Sequence, residues 1–382
     1  MEPVSLVRCP DYDGARVRAA VTEAVALLGG MERFVRPGQR ILLKPNLLEK
    51  AAPAEAVTTH PAVLEAVIEL VHRAGGRAVI ADSPGGPFTK GVLGSIYRAC
   101  GLVDVAGRTG AELNHDTASV AVSHPEGKMM KRLDLIKVVQ DVDAVITLPK
   151  LKTHVLTTFT GATKILFGVV PGLTKVNYHA RLDDLDQFSE MLVDLLDVVR
   201  PVLHIMDGIV GMEGNGPGKH GHPRPLGVLI AGANAAAVDA VACAVIGCDP
   251  RRVPPLRAAV RRGHWDGTME TIEVKGARVE DVAVVDFRLP VTAGRNFFGR
   301  YPWLRPFVRR NLSPRPVPRR EACTGCGTCV EHCPAGAITI RDKKAVVEER
   351  ACLRCYCCHE LCPSAAVALS FSPLGRLFLF IQ

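Results

Sequence analysis

RILLKPNLLEKAAPAEAVTTHPAVLEAVIELVHRAGGRAVIADSPGG (40–86) decides the fold. Its opening, RILLKPN (40–46), reads as a short buried strand. THPAVLEAVIELVHRAGG (59–76) has apolar residues at helical spacing, Pro61 in the first helical turn and Gly75–Gly76 at the end. RAVIAD (77–82) is a second strand, which stops at SPGG. Strand, helix and strand in this order form the crossover unit of a parallel sheet covered by helices.

The same alternation continues outward. VDAVITLPK (142–150), PVLHIMDGI (201–209) and PLGVLIAGA (225–233) read as strands. LDQFSEMLVDLLDVV (185–199) reads as a helix, and the almost wholly apolar NAAAVDAVACAVIG (234–247) as a deeply buried one. A further strand is expected over VEDVAVVDF (279–287). The expected fold class is therefore α/β, an open, mostly parallel sheet covered by helices, over residues 1–294. Residues 295–320 hold eight arginines, five prolines and no acid, and read as a connector or a wrapped arm. A small α+β unit is expected over 321–370, followed by an apolar tail over 371–382.

The chain has 382 residues, 48% hydrophobic and 23% charged, enough for one large domain and a small one. No apolar run reaches the roughly 20 residues of a membrane span. The first residues lack an apolar signal core, so a cytoplasmic location is the expectation. The formal charge is +8. Eight metal-bound thiolates and two oxidised four-iron cores would lower it to about +4. With few aromatics and no recognition element, nucleic acid is not an expected partner.

Nine of the 13 cysteines fall in the last sixty residues. That distribution suits metal in a reducing compartment and not a disulfide scaffold. CTGCGTCVEHCP supplies Cys323, Cys326, Cys329 and Cys333; CLRCYCCHELCP repeats the spacing with Cys352, Cys355, Cys358 and Cys362. Two runs of C-x2-C-x2-C-x3-C-P predict two [4Fe–4S] clusters. Three closely spaced cysteines wrap one cluster, and the fourth of each run crosses to the other. The expected iron ligands are Cys323, Cys326, Cys329 and Cys362 for the first cluster, and Cys352, Cys355, Cys358 and Cys333 for the second. Cys357 breaks the register and is expected to be a buried or hydrogen-bonded neighbour. AITIRDKKAVVEE between the runs reads as two short strands around a turn, and the unit resembles a bacterial dicluster ferredoxin domain.

Polar residues stand where the strands of the large domain end. KPNLL offers Lys44, ADSPGG offers Asp82, LPKLKTHVLTTFTGATK offers Lys150, Lys152, His154 and Lys164, and MDGIVGMEGNGPG offers Asp207. Open α/β sheets bind ligands beyond the carboxyl ends of their strands. These seven residues are the candidate catalytic set, in a pocket for a phosphate or carboxylate. Lys152 and His154 share a face on an extended segment. Neither a Walker sequence nor a dinucleotide fingerprint is present. Asp207, Glu213 and Asn215 also form a candidate hard-cation site in a glycine-rich loop.

KPNLL, TTHP, ADSPGG, LPKLKTH with GATK and FG, and DGIVGMEGNGPG with GVLIAGANAAAVDAVACAVIG together resemble the DUF362 family. Its usual lysine–asparagine after GA is here Lys164–Ile165. The resemblance implies an α/β body with an iron–sulfur unit and no secure reaction. Three functions are expected in turn. The first is an iron–sulfur oxidoreductase passing electrons to an anionic substrate or cofactor in the α/β domain. The second is an electron-transfer or metallocentre-assembly protein that docks a redox partner. The third is a ligase or transferase with structural or sensing clusters. A flavin without a recognisable motif, or a divalent cation, completes the cofactor expectations.

Overall fold

The computed structural model describes residues 1–182, 184–292, 311–374 and 376. In chain order the strands of the body are β1 (Glu2–Arg8), β2 (Arg40–Pro45), β3 (Arg77–Ile80), β4 (Glu112–Leu113), β5 (Ser119–Ser123), β6 (Arg132–Ile136), β7 (Ala144–Leu148), β8 (Lys150–His154), β9 (Thr158–Thr160), β10 (Leu203–Gly214), β11 (Gly221–Gly232) and β12 (Ile272–Gly276). The main sheet runs β12-β1-β11-β10-β7-β2-β3-β4, with β8 and β9 leaving it beside β10. β4, β3, β2, β7 and β10 lie parallel, while β11 is antiparallel to both β10 and β1. β5 and β6 form a separate hairpin.

Side chains alternate across a strand, so the sheet divides the apolar residues between two cores. On β2, Leu42 enters one core, and Ile41 and Leu43 the other. Helices α1 (Gly14–Ala26), α2 (Pro61–Arg73), α3 (Lys90–Ala99) and α4 (Leu102–Thr109) bury their apolar stripes on the Ile41 side. Helices α5 (Ala162–Ile165), α6 (Thr174–Arg181), α7 (Leu185–Val199), α8 (Ala235–Val245) and α9 (Pro254–Arg261) cover the other side. α2 begins as its sequence dictates. His60 caps it by accepting from the Ala62 amide at 3.2 Å, and Pro61 takes the first turn, where no amide donor is needed.

Two expectations are corrected. The strand expected over 279–287 is absent: β12 occupies the sheet edge beside β1, in register from Glu2–Ile272 to Leu6–Gly276. The later residues turn back, with the Val284 amide bonded to the Val245 carbonyl at the end of α8. The glycine-rich loop expected around Asp207 and Glu213 is instead the strand β10, paired with β11 through to Gly214 and Gly221. Its glycines allow close packing, since a Cβ on Gly211 would lie 2.6 Å from Leu226.

The small unit has strands β13 (Arg315–Pro318), β14 (Ile338–Arg341), β15 (Lys344–Val347) and β16 (Val367–Ser370). Its two short helices are α10 (Thr328–Glu331) and α11 (Cys357–Glu360). β14 and β15 form the expected hairpin, turning at Asp342–Lys343. β13, expected as the end of the arm, pairs with β16. The rest of the arm, 295–310, and most of the tail lie outside the described residues.

The glycine loops of the body receive this unit. A Cβ on Gly218 would lie 2.8 Å from the Glu360 carbonyl, and one on Gly85 would lie 2.8 Å from Leu361. His359 stacks on His220 with ring centroids 3.9 Å apart, and its Nε2 lies 3.3 Å from the Asn215 carbonyl. Among the described residues, no helix is long and apolar enough to cross a membrane.

Candidate functional site

Parallel strands deliver their carboxyl ends to one edge of the sheet, and the candidate residues gather there. Lys44 sits at the end of β2 and Asp82 just beyond β3. Both are buried, with Lys44 Nζ 2.9 Å from Asp82 Oδ1. The carboxylate also accepts the Leu47 amide at 2.8 Å and the Ser83 amide at 2.8 Å. Burial lowers the Lys44 pKa, and Asp82 opposes that shift. Gly168 closes over the pair: a Cβ there would lie 2.1 Å from Asp82 Oδ1 and 2.4 Å from Lys44 Nζ. The FG of the motif is therefore a packing requirement of this ion pair.

Strand β8 keeps Lys152 and His154 on one cavity, as expected, but separates Lys150 from them. Lys150 pairs with Asp207 of β10, but Lys152 pairs with Met212, so the register jumps between them. Lys150 Nζ bonds Asp207 Oδ2 at 2.7 Å and the Tyr12 hydroxyl at 2.7 Å. Tyr12 in turn donates to Asp207 Oδ1 at 2.8 Å and stacks on His60. Lys150 and Asp207 thus form a closed, fully buried network beside the cavity and do not line it.

Lys44, Asp82, Lys152, His154 and Lys164 do line a common cavity of about 110 Å³. Lys152 Nζ donates to Asn46 Oδ1 at 2.7 Å and to the Val57 carbonyl at 2.8 Å. Burial, reinforced by Lys164, brings its pKa down to about 7. Lys164 Nζ lies 5.7 Å from the Phe167 ring and has no hydrogen-bond or ion-pair partner among the described residues. α5, which carries Lys164, is fixed by Asp239 of α8, whose carboxylate accepts the Ala162 and Thr163 amides at 2.6 and 2.9 Å. Burial raises Asp239 to about 6.

The small unit supplies the remaining wall. Glu360 Oε1 is buried without a hydrogen bond, although His154 Nε2 lies 3.3 Å away. Burial raises the Glu360 pKa to about 7. His332 is 3% exposed, and its Nε2 also lacks a partner. Cys357 completes this wall.

The cysteines suit iron–sulfur ligation. Cys329 has Cys326, Cys362 and Cys323 as charged neighbours. Cys358 has Cys355, Cys352 and Cys333 around it, with Cys329 also close. A space of about 20 Å³ lies among residues that include Cys333, Cys352, Cys355 and Cys358. Burial and the adjacent sulfurs raise Cys329 to about 11, a penalty that bound iron would remove. Backbone amides approach the sulfurs of Cys333 and Cys362 at 3.2 Å, and those of Cys323 and Cys352 at 3.4 Å. Such bonds stabilise thiolate ligands and tune potentials. Cys357 hydrogen-bonds Cys355; that sulfur first, and then burial, hold its thiol well above the ordinary range.

The candidate hard-cation set does not assemble. Asp207 is paired with Lys150, Glu213 with Arg288 at 2.6 Å, and Asn215 Oδ1 accepts the Val291 amide. Six residues along a strand separate Asp207 and Glu213 by roughly 20 Å at about 3.3 Å per residue, before any local bulge. Sequence reasoning missed Lys175, Glu360, His332 and Asp239. Lys175 follows a proline–glycine turn and Asp239 interrupts an apolar helix, a legible anomaly. Glu360 and His332 lie between cluster cysteines, where the cysteine spacing drew all the attention.

A family model described as a domain of unknown function, DUF362, matches residues 41–244, and a 4Fe-4S binding domain matches 316–339. The thylakoid-associated protein sll1697 of Synechocystis sp. is 38% identical over 76% of this chain and 88% of its own length. The lactate racemase apoprotein of Thermoanaerobacterium thermosaccharolyticum superposes with a TM-score of 0.39 at 12% identity, over 63% of this chain and 56% of that one. A Thermotoga maritima protein gives a TM-score of 0.32 at 11% identity, over 58% of this chain and 56% of its own. From its body's match and its relative, the chain belongs to the DUF362 family, and it carries a 4Fe–4S binding domain at its C-terminal end.

Proposed function

We propose that this protein is an iron–sulfur oxidoreductase that delivers electrons to a small anionic molecule in the lysine-lined cavity. One observation carries the reading. Cys357 and His332 line both that cavity and the space among Cys333, Cys352, Cys355 and Cys358. In this reading Cys323, Cys326, Cys329 and Cys362 hold one [4Fe–4S] cluster, and Cys352, Cys355, Cys358 and Cys333 hold a second. Bound clusters supply one-electron transfers.

The residues of the chain do the rest. Lys164 attracts the anionic group, and Lys44–Asp82 holds the cavity floor in place. Lys152, with a pKa of about 7, donates a proton at neutral pH. Reduction of the substrate by two electrons takes up two protons and leaves both clusters oxidised by one electron each. An electron-carrier protein is the external reductant. It docks on the first set's side, where Cys326 is exposed. A cytoplasmic location belongs to this reading. The thylakoid association in the relative's name, if carried over, would place the chain at a membrane surface instead, and cell fractionation separates the two.

The test is anaerobic. Purified protein is analysed for iron, sulfide, flavin and bound divalent cation, then reduced and mixed with small carboxylates and phosphates. Rapid reoxidation, lost in Lys164→Met with cluster absorbance intact, is the expected result. Reoxidation by a protein partner alone would support the electron-transfer role and overturn the cavity reaction.

A further inference from the structure

The cavity contains more polar groups than it can satisfy, and they differ in kind. Lys44 is held by Asp82 and the Pro45 carbonyl. Lys152 is held by Asn46 and the Val57 carbonyl. Lys175 donates to Ser83 Oγ at 3.0 Å and to the Ser83 carbonyl at 2.7 Å. Among the described residues, Lys164 is left as the ammonium without a hydrogen-bond or ion-pair partner. Two acceptors line the same cavity without a hydrogen bond. Glu360 Oε1 is one. His332 Nε2 is the other: its Nδ1 lies 2.7 Å from the Thr328 carbonyl, which only accepts, so Nδ1 carries the hydrogen and Nε2 of that tautomer is an acceptor.

A half-buried ammonium with no partner among the described residues and two buried acceptors left unbonded are each costly, and one ligand can satisfy all three. That ligand must bring an anionic group for Lys164 and an N–H or O–H for the acceptors. A phosphate dianion fits poorly, because one free cation stands beside a carboxyl group. Ile165, Phe167 and Leu361 supply an apolar lining that limits the ligand's size.

We infer that the cavity binds a small monocarboxylate that also carries a hydrogen-bond donor near its carboxylate, an α-hydroxy or α-amino acid in chemical class. The inference deepens the proposed oxidoreductase reading, but the binding it describes does not require electron transfer.

The test uses the full, oxidised, cluster-loaded chain, so that no turnover occurs. Acetate, glycolate, lactate, glycine and inorganic phosphate are titrated by calorimetry. Glycolate, lactate or glycine should bind about tenfold more tightly than acetate, because acetate leaves the acceptors unpaired. Phosphate should bind more weakly than the best of them. Lys164→Met should remove carboxylate binding. Glu360→Gln should keep the preference, since an amide oxygen still accepts, and Glu360→Leu should lose most of it. Unchanged cluster absorbance in the leucine variant reports that the small unit is still seated, and the wild-type acetate ratio carries the test without that variant. Equal binding of acetate and glycolate, tightest binding of phosphate, or no binding by any carboxylate overturns the inference. Ligand that binds in this order, with no reoxidation of reduced clusters by the matching two-electron acceptors glyoxylate and pyruvate, sustains it and overturns the oxidoreductase reading. Reoxidation by glyoxylate or pyruvate with acetate and glycolate bound equally does the reverse.

Discussion

Lys150 and Lys152 stand two residues apart in LPKLKTH, yet they belong to different regions of the molecule. Lys150 enters a closed network in which Asp207 and Tyr12 satisfy its ammonium. Lys152 enters a cavity whose other walls carry Lys164, Glu360 Oε1 and His332 Nε2, none of them hydrogen-bonded among the described residues. Both lysines are buried, and burial lowers both pKa values. What separates them is whether the surrounding polar groups are satisfied. A saturated buried ion pair holds the fold, whereas a group of unsaturated ones describes the shape of a missing ligand.

The comparison breaks most readily at the closed end. Asp207→Ala leaves Lys150 buried and uncompensated, and should cost roughly 3–5 kcal/mol in chemical denaturation. Lys164→Met should leave that stability unchanged or higher, since it removes a half-buried charge with no hydrogen-bond or ion-pair partner among the described residues. Equal losses in the two variants would erase the distinction between the regions.

At the open end, Lys152→Met should slow substrate-driven cluster reoxidation about 100-fold, the lower range for loss of a general acid, with cluster absorbance unaltered. A packing test sits between the two. Gly168→Ala would place a methyl against Lys44 and Asp82, at a cost of about 1–3 kcal/mol, read as a lower unfolding midpoint.

The pH dependence has a defined sign. Lys152 acts as an acid in its charged form, and its pKa is about 7. Reoxidation should be level below that pH and fall about tenfold per unit above it, if this proton limits the rate. A rate that rises with pH would assign the proton to another group. The smallest expected effect belongs to Cys357, which bonds the sulfur of Cys355. Cys357→Ala should shift the potential of the second cluster by a few tens of millivolts and leave the first unmoved, as read by redox titration with electron paramagnetic resonance.

Much of the body was legible. The 40–86 stretch carries short apolar strands around a period-3.6 helix, with a proline and glycines at the helix boundaries, and those signals are local. The strand expected over 279–287 failed because apolar alternation reports a strand's preference and not whether a sheet edge is free; β12 already held it. The glycine loops around 83–86 and 214–218 looked like ligand loops, and in the fold they also seat α11, whose arrival no local pattern announces. In the site, Lys44, Asp82, Lys152, His154 and Lys164 come together because their strands and the following loop meet at one edge. Lys150 and Asp207 stayed apart from them through a register jump that is a property of pairing between distant strands.

The sequence by itself determined the α/β alternation, the eight regularly spaced cysteines and the lysines at strand ends, because each is written in spacings of a few residues. Only the tertiary structure decided which lysine is satisfied, which glutamate from the small unit faces Lys164, and that Cys357 and His332 form a wall shared by the cavity and the cysteine site. Hydrogen-bond saturation and burial are set by groups distant along the chain, from the 57-residue separation of Lys150 and Asp207 to the 106-residue separation of Lys152 and Asn46. No local pattern encodes that pairing, and it appears only when the sheet edge and the cysteine unit meet.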